Sequence, residues 1–216
     1  MTQAHTADPQ RQIPITATAS IMATPDQVRL RSGVVTVAET AKAALSENSA
    51  AMGKVIAALK AAGIAAADIA TEAFQIAPQY KRSKVSSSYD SAISAYRVSN
   101  VLSVFLRDVD TVGAIIDVMV EGGINRFDSS AFEVSDADTR RDEARSKAVA
   151  LARQRAELYA RAAGVTLGKI VRITEGRASF TGGMERGAVV GMAASVPIEA
   201  GEREISASVT IVWEID

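Results

Sequence analysis

The chain closes on Ile205-Ser206-Ala207-Ser208-Val209-Thr210-Ile211-Val212-Trp213-Glu214-Ile215-Asp216, and this stretch decides the fold class. Its odd positions are apolar throughout the run to Ile215, while its even positions, Val212 apart, are polar. A period of two marks a strand with one buried and one wet face. Strands buried between two helical layers read instead as unbroken apolar runs. The ending therefore predicts an α+β fold, mainly antiparallel sheet with about three helices on one face, rather than a doubly wound parallel sheet.

The same alternation recurs upstream. Ile13, Ile15, Ala17, Ala19 and Ile21 form one strand, and Val28 and Leu30 begin another after the turn at Thr24-Pro25-Asp26. Past Gly33 the apolar phase moves to Val35 and Val37, which predicts one bulged residue there. Phe74, Ile76, Pro78 and Tyr80 suggest a strand whose proline belongs at an edge or an end. Further strands run through Tyr96, Val98, Leu102, Val104 and Leu106, and through Phe132 and Val134. Between them the period lengthens to that of helices. Thr40 is placed to cap one carrying Ala44, Leu45, Met52, Val55, Ile56 and Leu59, and Val109 to Glu121 turns Val112, Ile115, Ile116 and Met119 inward. Ser135 is placed to cap a long third helix with Ala144, Ala148, Leu151, Ala152, Leu158 and Ala162 on its stripe.

All three helices leave in one way. Lys60-Ala61-Ala62-Gly63-Ile64, Val120-Glu121-Gly122-Gly123-Ile124 and Arg161-Ala162-Ala163-Gly164-Val165 each carry a glycine followed by a branched residue, then a strand. Gly63, Gly123 and Gly164 are thus expected as left-handed helix stops in a repeated helix-glycine-strand unit. Residues 1–12 read as a flexible tail and 13–216 as one α+β domain with two subdomains, about 13–134 and 135–216. A long glycine-rich connection, 176–201, lies within the second.

Composition removes much familiar chemistry. The chain has 216 residues, 48% of them hydrophobic and 23% charged, as in globular proteins that fold in water. With 24 basic against 25 acidic side chains the net charge is -1, too small a positive field for a nucleic-acid partner. There is no cysteine and one histidine, His5 in the tail, so thiol chemistry, a Ser/His/Asp triad in the body and Cys or His zinc sites are excluded. No cofactor is expected. The most apolar stretch, Val55 to Ala70, is broken by Lys60 and Asp68, so no transmembrane segment is expected. Met1 to Gln10 lacks the basic and apolar regions of a secretory leader, so a leader was either absent or removed. Lack of cysteine leaves both cytosol and periplasm open.

Asp136, Asp138, Asp142 and Glu143 could furnish an acid/base pair or a hard-cation site, but acidic residues are favoured in a helix's first turns without any ligand. Lys81, Arg82 and Lys84 between Tyr80 and Tyr89 resemble an anion patch and read better as a solvated loop. The glycines of 176–201 match no phosphate loop. Its Met184, Val189, Val190 and Met192 lack a periodic core face and are the expected self-association residues.

Together these segments resemble the SIMPL-domain family, also described as periplasmic immunogenic or oxidative-stress defence proteins. The likeness is carried by Ala23-Thr24-Pro25-Asp26, Ala58 to Ile64, Tyr96-Arg97-Val98-Ser99-Asn100, Leu106-Arg107-Asp108-Val109-Asp110 and Glu143-Ala144-Arg145. Ala162 to Gly168 and Val196-Pro197-Ile198 to Ile215 complete it. The chain departs from the family pattern at Ala19-Ser20-Ile21 and Ala95, where relatives commonly carry glycine. The resemblance implies export to the periplasm, an α+β fold and a homo-oligomer, with a ring-like assembly known for a member; it brings no catalytic residue. The expectation is a non-enzymatic envelope scaffold or contact module connected with stress. A periplasmic small-molecule or peptide-binding module is the alternative, and a carboxylate-dependent hydrolase a weaker one.

Overall fold

The computed structural model describes residues 11–80, 92–176 and 199–216. Seven strands and three α-helices alternate through them: β1 (Gln12–Ala23), β2 (Gln27–Ala38), α1 (Ala41–Ala61), β3 (Ile69–Tyr80), β4 (Ile93–Leu106), α2 (Val112–Gly122), β5 (Arg126–Glu133), α3 (Ala137–Ala163), β6 (Leu167–Glu175) and β7 (Arg203–Ile215). Short 3-10 turns at Ala66–Asp68 and Val109–Thr111 precede β3 and α2. All the pairings are antiparallel, so the α+β class read from the last strand holds. The strands divide into two sheets, β1-β7-β6 and β3-β4-β2-β5.

The chain forms two compact units. The described residues of one are 11–24, 134–176 and 201–216; those of the other are 25–80, 92–133 and 199–200. In the first unit β7 is the central strand, paired with β1 from Gln12↔Glu214 to Ala23↔Arg203 and with β6 on its other side. Its apolar face, Val209, Ile211 and Trp213, meets Ile15 and Ala17 of β1 and the alanines of α3. Ala144, Ala148, Ala152, Ala156 and Ala160 are all buried, a stripe of methyl groups that lets α3 lie close upon the sheet. Leu158, expected on that stripe, is 59% exposed. On the opposite face the alternation places hydroxyls in register: Thr16 and Thr210 bond at 2.8 Å, and Thr18 donates to Ser208 at 3.1 Å. That face is half-buried rather than wet, and Val212 on it is buried, because neighbours flank β7 on both edges.

In the second unit α1 and α2 cover the four-stranded sheet, enclosing Leu30, Val34, Met52, Leu59, Leu102 and Met119. Thr40 caps α1 as expected, its Oγ1 accepting from the Ala43 N–H at 3.1 Å. The bulge expected past Gly33 is not in β2. Val28, Leu30, Ser32 and Val34 stay buried and Val37 faces out, while β2 pairs with β4 without a break from Val28↔Leu106 to Ala38↔Tyr96. The irregularity is in the neighbouring strand, where β5 passes from Ser129 to Phe127 against consecutive β2 residues and sets Asp128 out of step. Gly33 answers a different need. A Cβ there would stand 2.5 Å from the Asn100 carbonyl oxygen of β4, so only glycine allows the two strands to approach. Ser135 is likewise not the cap of α3: the N-cap position is Asp136, whose carboxylate makes no capping bond and goes to Arg140 instead.

Each helix exit carries a doubled hydrogen bond. Ile64 N–H reaches Leu59 C=O, Ile124 reaches Met119 and Val165 reaches Ala160, while the glycine one residue earlier donates to Lys60, Val120 and Arg161 respectively. Gly63, Gly123 and Gly164 have φ of 91°, 117° and 71°, so these are Schellman turns, with a branched residue closing each.

Candidate contact surfaces

The self-association residues Met184, Val189, Val190 and Met192 lie outside the described residues, as do Lys81, Arg82, Lys84 and Tyr89. The acidic residues at the start of α3 are described; Glu143 is exposed, and the three aspartates are engaged along their own helix. Asp136 pairs with Arg140, Asp138 with Arg141, and Asp142 with Arg145, three or four residues on. These are exposed ion pairs of the sort that support a helix modestly. Among the described residues no three His, Cys, Asp or Glu side chains gather as a metal site.

One described surface with exposed apolar side chains is the edge of the first unit's sheet. Among the described residues β6 pairs with β7 alone, and α3 packs over β1 and β7. Ile170, Val171 and Ile173 of this strand are 51%, 45% and 56% exposed. An unpaired edge with apolar side chains is a template for further pairing. Beside it a recess of about 160 Å³ runs between Val149 of α3 and Ile173, ending at Arg145 and Glu175. Arg145 donates through Nε to Glu175 at 2.8 Å and through Nη1 to Asp142 at 2.6 Å. Those bonds, Glu175's first, raise its guanidinium pKa from the ordinary value and tie α3 to the end of β6.

A second apolar edge belongs to the other unit. β3 lies outermost in its sheet, the place expected for Pro78, and exposes Phe74, Ile76 and Tyr80. The face of this sheet turned from the helices carries a charged lattice. Arg29 bonds Glu133 at 3.2 Å, Arg31 bonds Glu72 at 2.7 Å, and Arg126 bonds Asp128 at 2.6 Å while reaching Ser99 at 3.3 Å. Phe105 is stacked by two guanidinium groups, Arg29 at 5.0 Å and Arg107 at 5.1 Å from the ring centroid.

Two asparagines that frame this sheet were not singled out from the sequence. Asn48 is fully buried on α1 and donates to the backbone carbonyls of Val34 at 2.9 Å and Val98 at 3.4 Å. The signal for it was the gap in the stripe between Ala44 and Met52, four residues from each. Asn125 exchanges two 2.8 Å bonds with the backbone of Val35 and so extends the β5 ladder by a side chain. No local pattern marks that role.

Comparison with known proteins decides the lineage. The SIMPL family profile, described as a protein of unknown function (DUF541), matches residues 13–213. The chain belongs to the SIMPL family. Among its SIMPL relatives, the 26 kDa periplasmic immunogenic proteins of Brucella melitensis and Brucella abortus are each 36% identical over 217 aligned positions, covering 97% of this chain and 86% of theirs. The uncharacterized protein YggE of Edwardsiella ictaluri is 30% identical over 156 positions, 72% of this chain and 64% of its own length. None of these names describes an enzyme, and the Brucella names place those SIMPL proteins in the periplasm. No described helix of this SIMPL chain is long and apolar enough to cross a membrane.

Proposed function

We propose that this SIMPL protein is an exported, non-enzymatic envelope component that acts by contact, self-associating into a homo-oligomer, ring-like in form, with a role in stress defence. The observation that carries the reading is the β6 edge, unpaired among the described residues, with Ile170, Val171 and Ile173 of that strand exposed. A neighbouring subunit covering these side chains recovers about 25 cal/mol for each Å² of apolar area taken from water. Met184, Val189, Val190 and Met192, in the connection that follows β6, are assigned to the same contact. The periplasmic names of the Brucella relatives support the compartment.

Light scattering across a concentration series tests this. The parent chain is expected to exceed the single-chain mass of 22.7 kDa, increasingly so as concentration rises. Ile170→Lys with Ile173→Lys, and separately the triple change of Val189, Val190 and Met192 to serine, should lower the mass and leave the circular dichroism unchanged. A parent that stays at one chain's mass over the whole range removes the contact reading.

A further inference from the structure

A cleft of about 570 Å³ opens in the second unit where α1 ends, with a volume typical of small-ligand pockets. Its wall is aliphatic: Ile64 from the turn after Gly63, Leu106 from the end of β4, and Ala114, Ile115 and Val118 from α2. The wall is held firmly, since Leu106 and Ile115 are buried core residues and the Schellman turn fixes Ile64. Polar groups on its margin are Asp68, Arg107, Asp108 and Thr111, whose Oγ1 donates to the Asp108 carbonyl at 2.8 Å.

We propose that this cleft binds a small amphipathic carboxylate, with Arg107 holding the carboxylate and the aliphatic wall taking the hydrocarbon. The assignment follows from which margin groups are already committed. Asp68 is 13% exposed and accepts from Arg107 Nη2 at 2.7 Å, so its charge is answered within the protein. Asp108 accepts the Asp110 N–H at 2.9 Å, at the start of the turn that leads into α2. Arg107, whose charge Asp68 meets in turn, is the group with N–H donors unused. It is held by Asp68 and by the Phe105 ring, and its remaining N–H donors meet no protein acceptor among the described residues. A guanidinium held in place in this way, with donors to spare, suits the paired bonds of a carboxylate. Because two carboxylates flank it, an alkyl cation is the competing occupant, and the experiment has to separate the two.

Calorimetric titration of the full chain with hexanoate, octanoate, octanol and octylamine, all below micelle-forming concentrations, makes the separation. Octanoate is expected to saturate one site and to bind roughly fifteenfold tighter than hexanoate, at roughly fourfold for each of two buried methylenes. Arg107→Gln should weaken octanoate about tenfold or more and leave octanol unchanged, as loss of a charge-assisted pair requires. Ala114→Phe fills the cleft and should abolish both; Ala65→Trp, on the exposed rim, replaces it if the helix variant melts early. Octylamine binding as tightly as octanoate, octanoate indifferent to Arg107→Gln, or no saturation by octanoate would each overturn the proposal. None of these outcomes depends on the oligomeric state.

Discussion

A valine at Gly63 or Gly164 has to adopt φ of 91° or 71°, a region that a β-branched residue avoids. Nothing crowds either position, so the strain is purely conformational. Gly63→Val and Gly164→Val are each expected to destabilise by about 1 kcal/mol or more, read as a lower denaturant midpoint at unchanged slope. Equal midpoints in both variants would show that the exits relax into another turn. Asn48 marks how far single residues can be read in advance. A polar residue in an apolar stripe is visible in the sequence, but its partners, the carbonyls of Val34 and Val98, become apparent only when α1 lies across β2 and β4.

Along single elements, hydrophobic period located nearly every strand and helix and was less able to orient them. Leu158 belongs to α3 by sequence but stands out of its buried stripe, because five alanines spaced by four already fill the contact with the sheet. The expected bulge in β2 went astray for a related reason. Val35 and Val37 are apolar on the face away from the helices, and apolar composition on two faces cannot say which one is covered. The stripe makes a sharp expectation: Ala152→Leu inserts volume where helix meets sheet and should destabilise by about 1–3 kcal/mol, whereas Leu158→Ser should stay within about 0.5 kcal/mol of the parent. Thermal melts of the two variants decide it. If both lose stability equally, the alanine contact is not the tight one. The exposed edges were illegible as edges, since alternation describes a strand's faces and is silent about its neighbours.

For the molecule as a whole, which strands pair matters more than which segments are strands. The turn at Thr24-Pro25-Asp26 is visible in sequence as a link between two strands, yet β1 and β2 join different sheets, and β1 finds its partner in β7 at the other end of the chain. The second unit's described elements all lie between Pro25 and Glu133. A chain stopped after Ala200 lacks β7, the central strand of the first unit, and should keep amide protection in α1, β2 and β4 while losing it in β1, β6 and α3. Uniform loss of protection would mean that the units fold only together.

The β1–β7 ladder also sets a timetable. A chain made from its amino end brings β1 out well before β7, so Gln12 to Ala23 must wait, unpaired, through the synthesis of the elements between them. During that interval the segment from Pro25 to Glu133 is complete and can close its own sheet, while an alternating strand rich in isoleucine, alanine and threonine stays open to the wrong neighbour. Of the strands described, the earliest is among the last to be safe, and its vulnerable period ends only when β7 arrives.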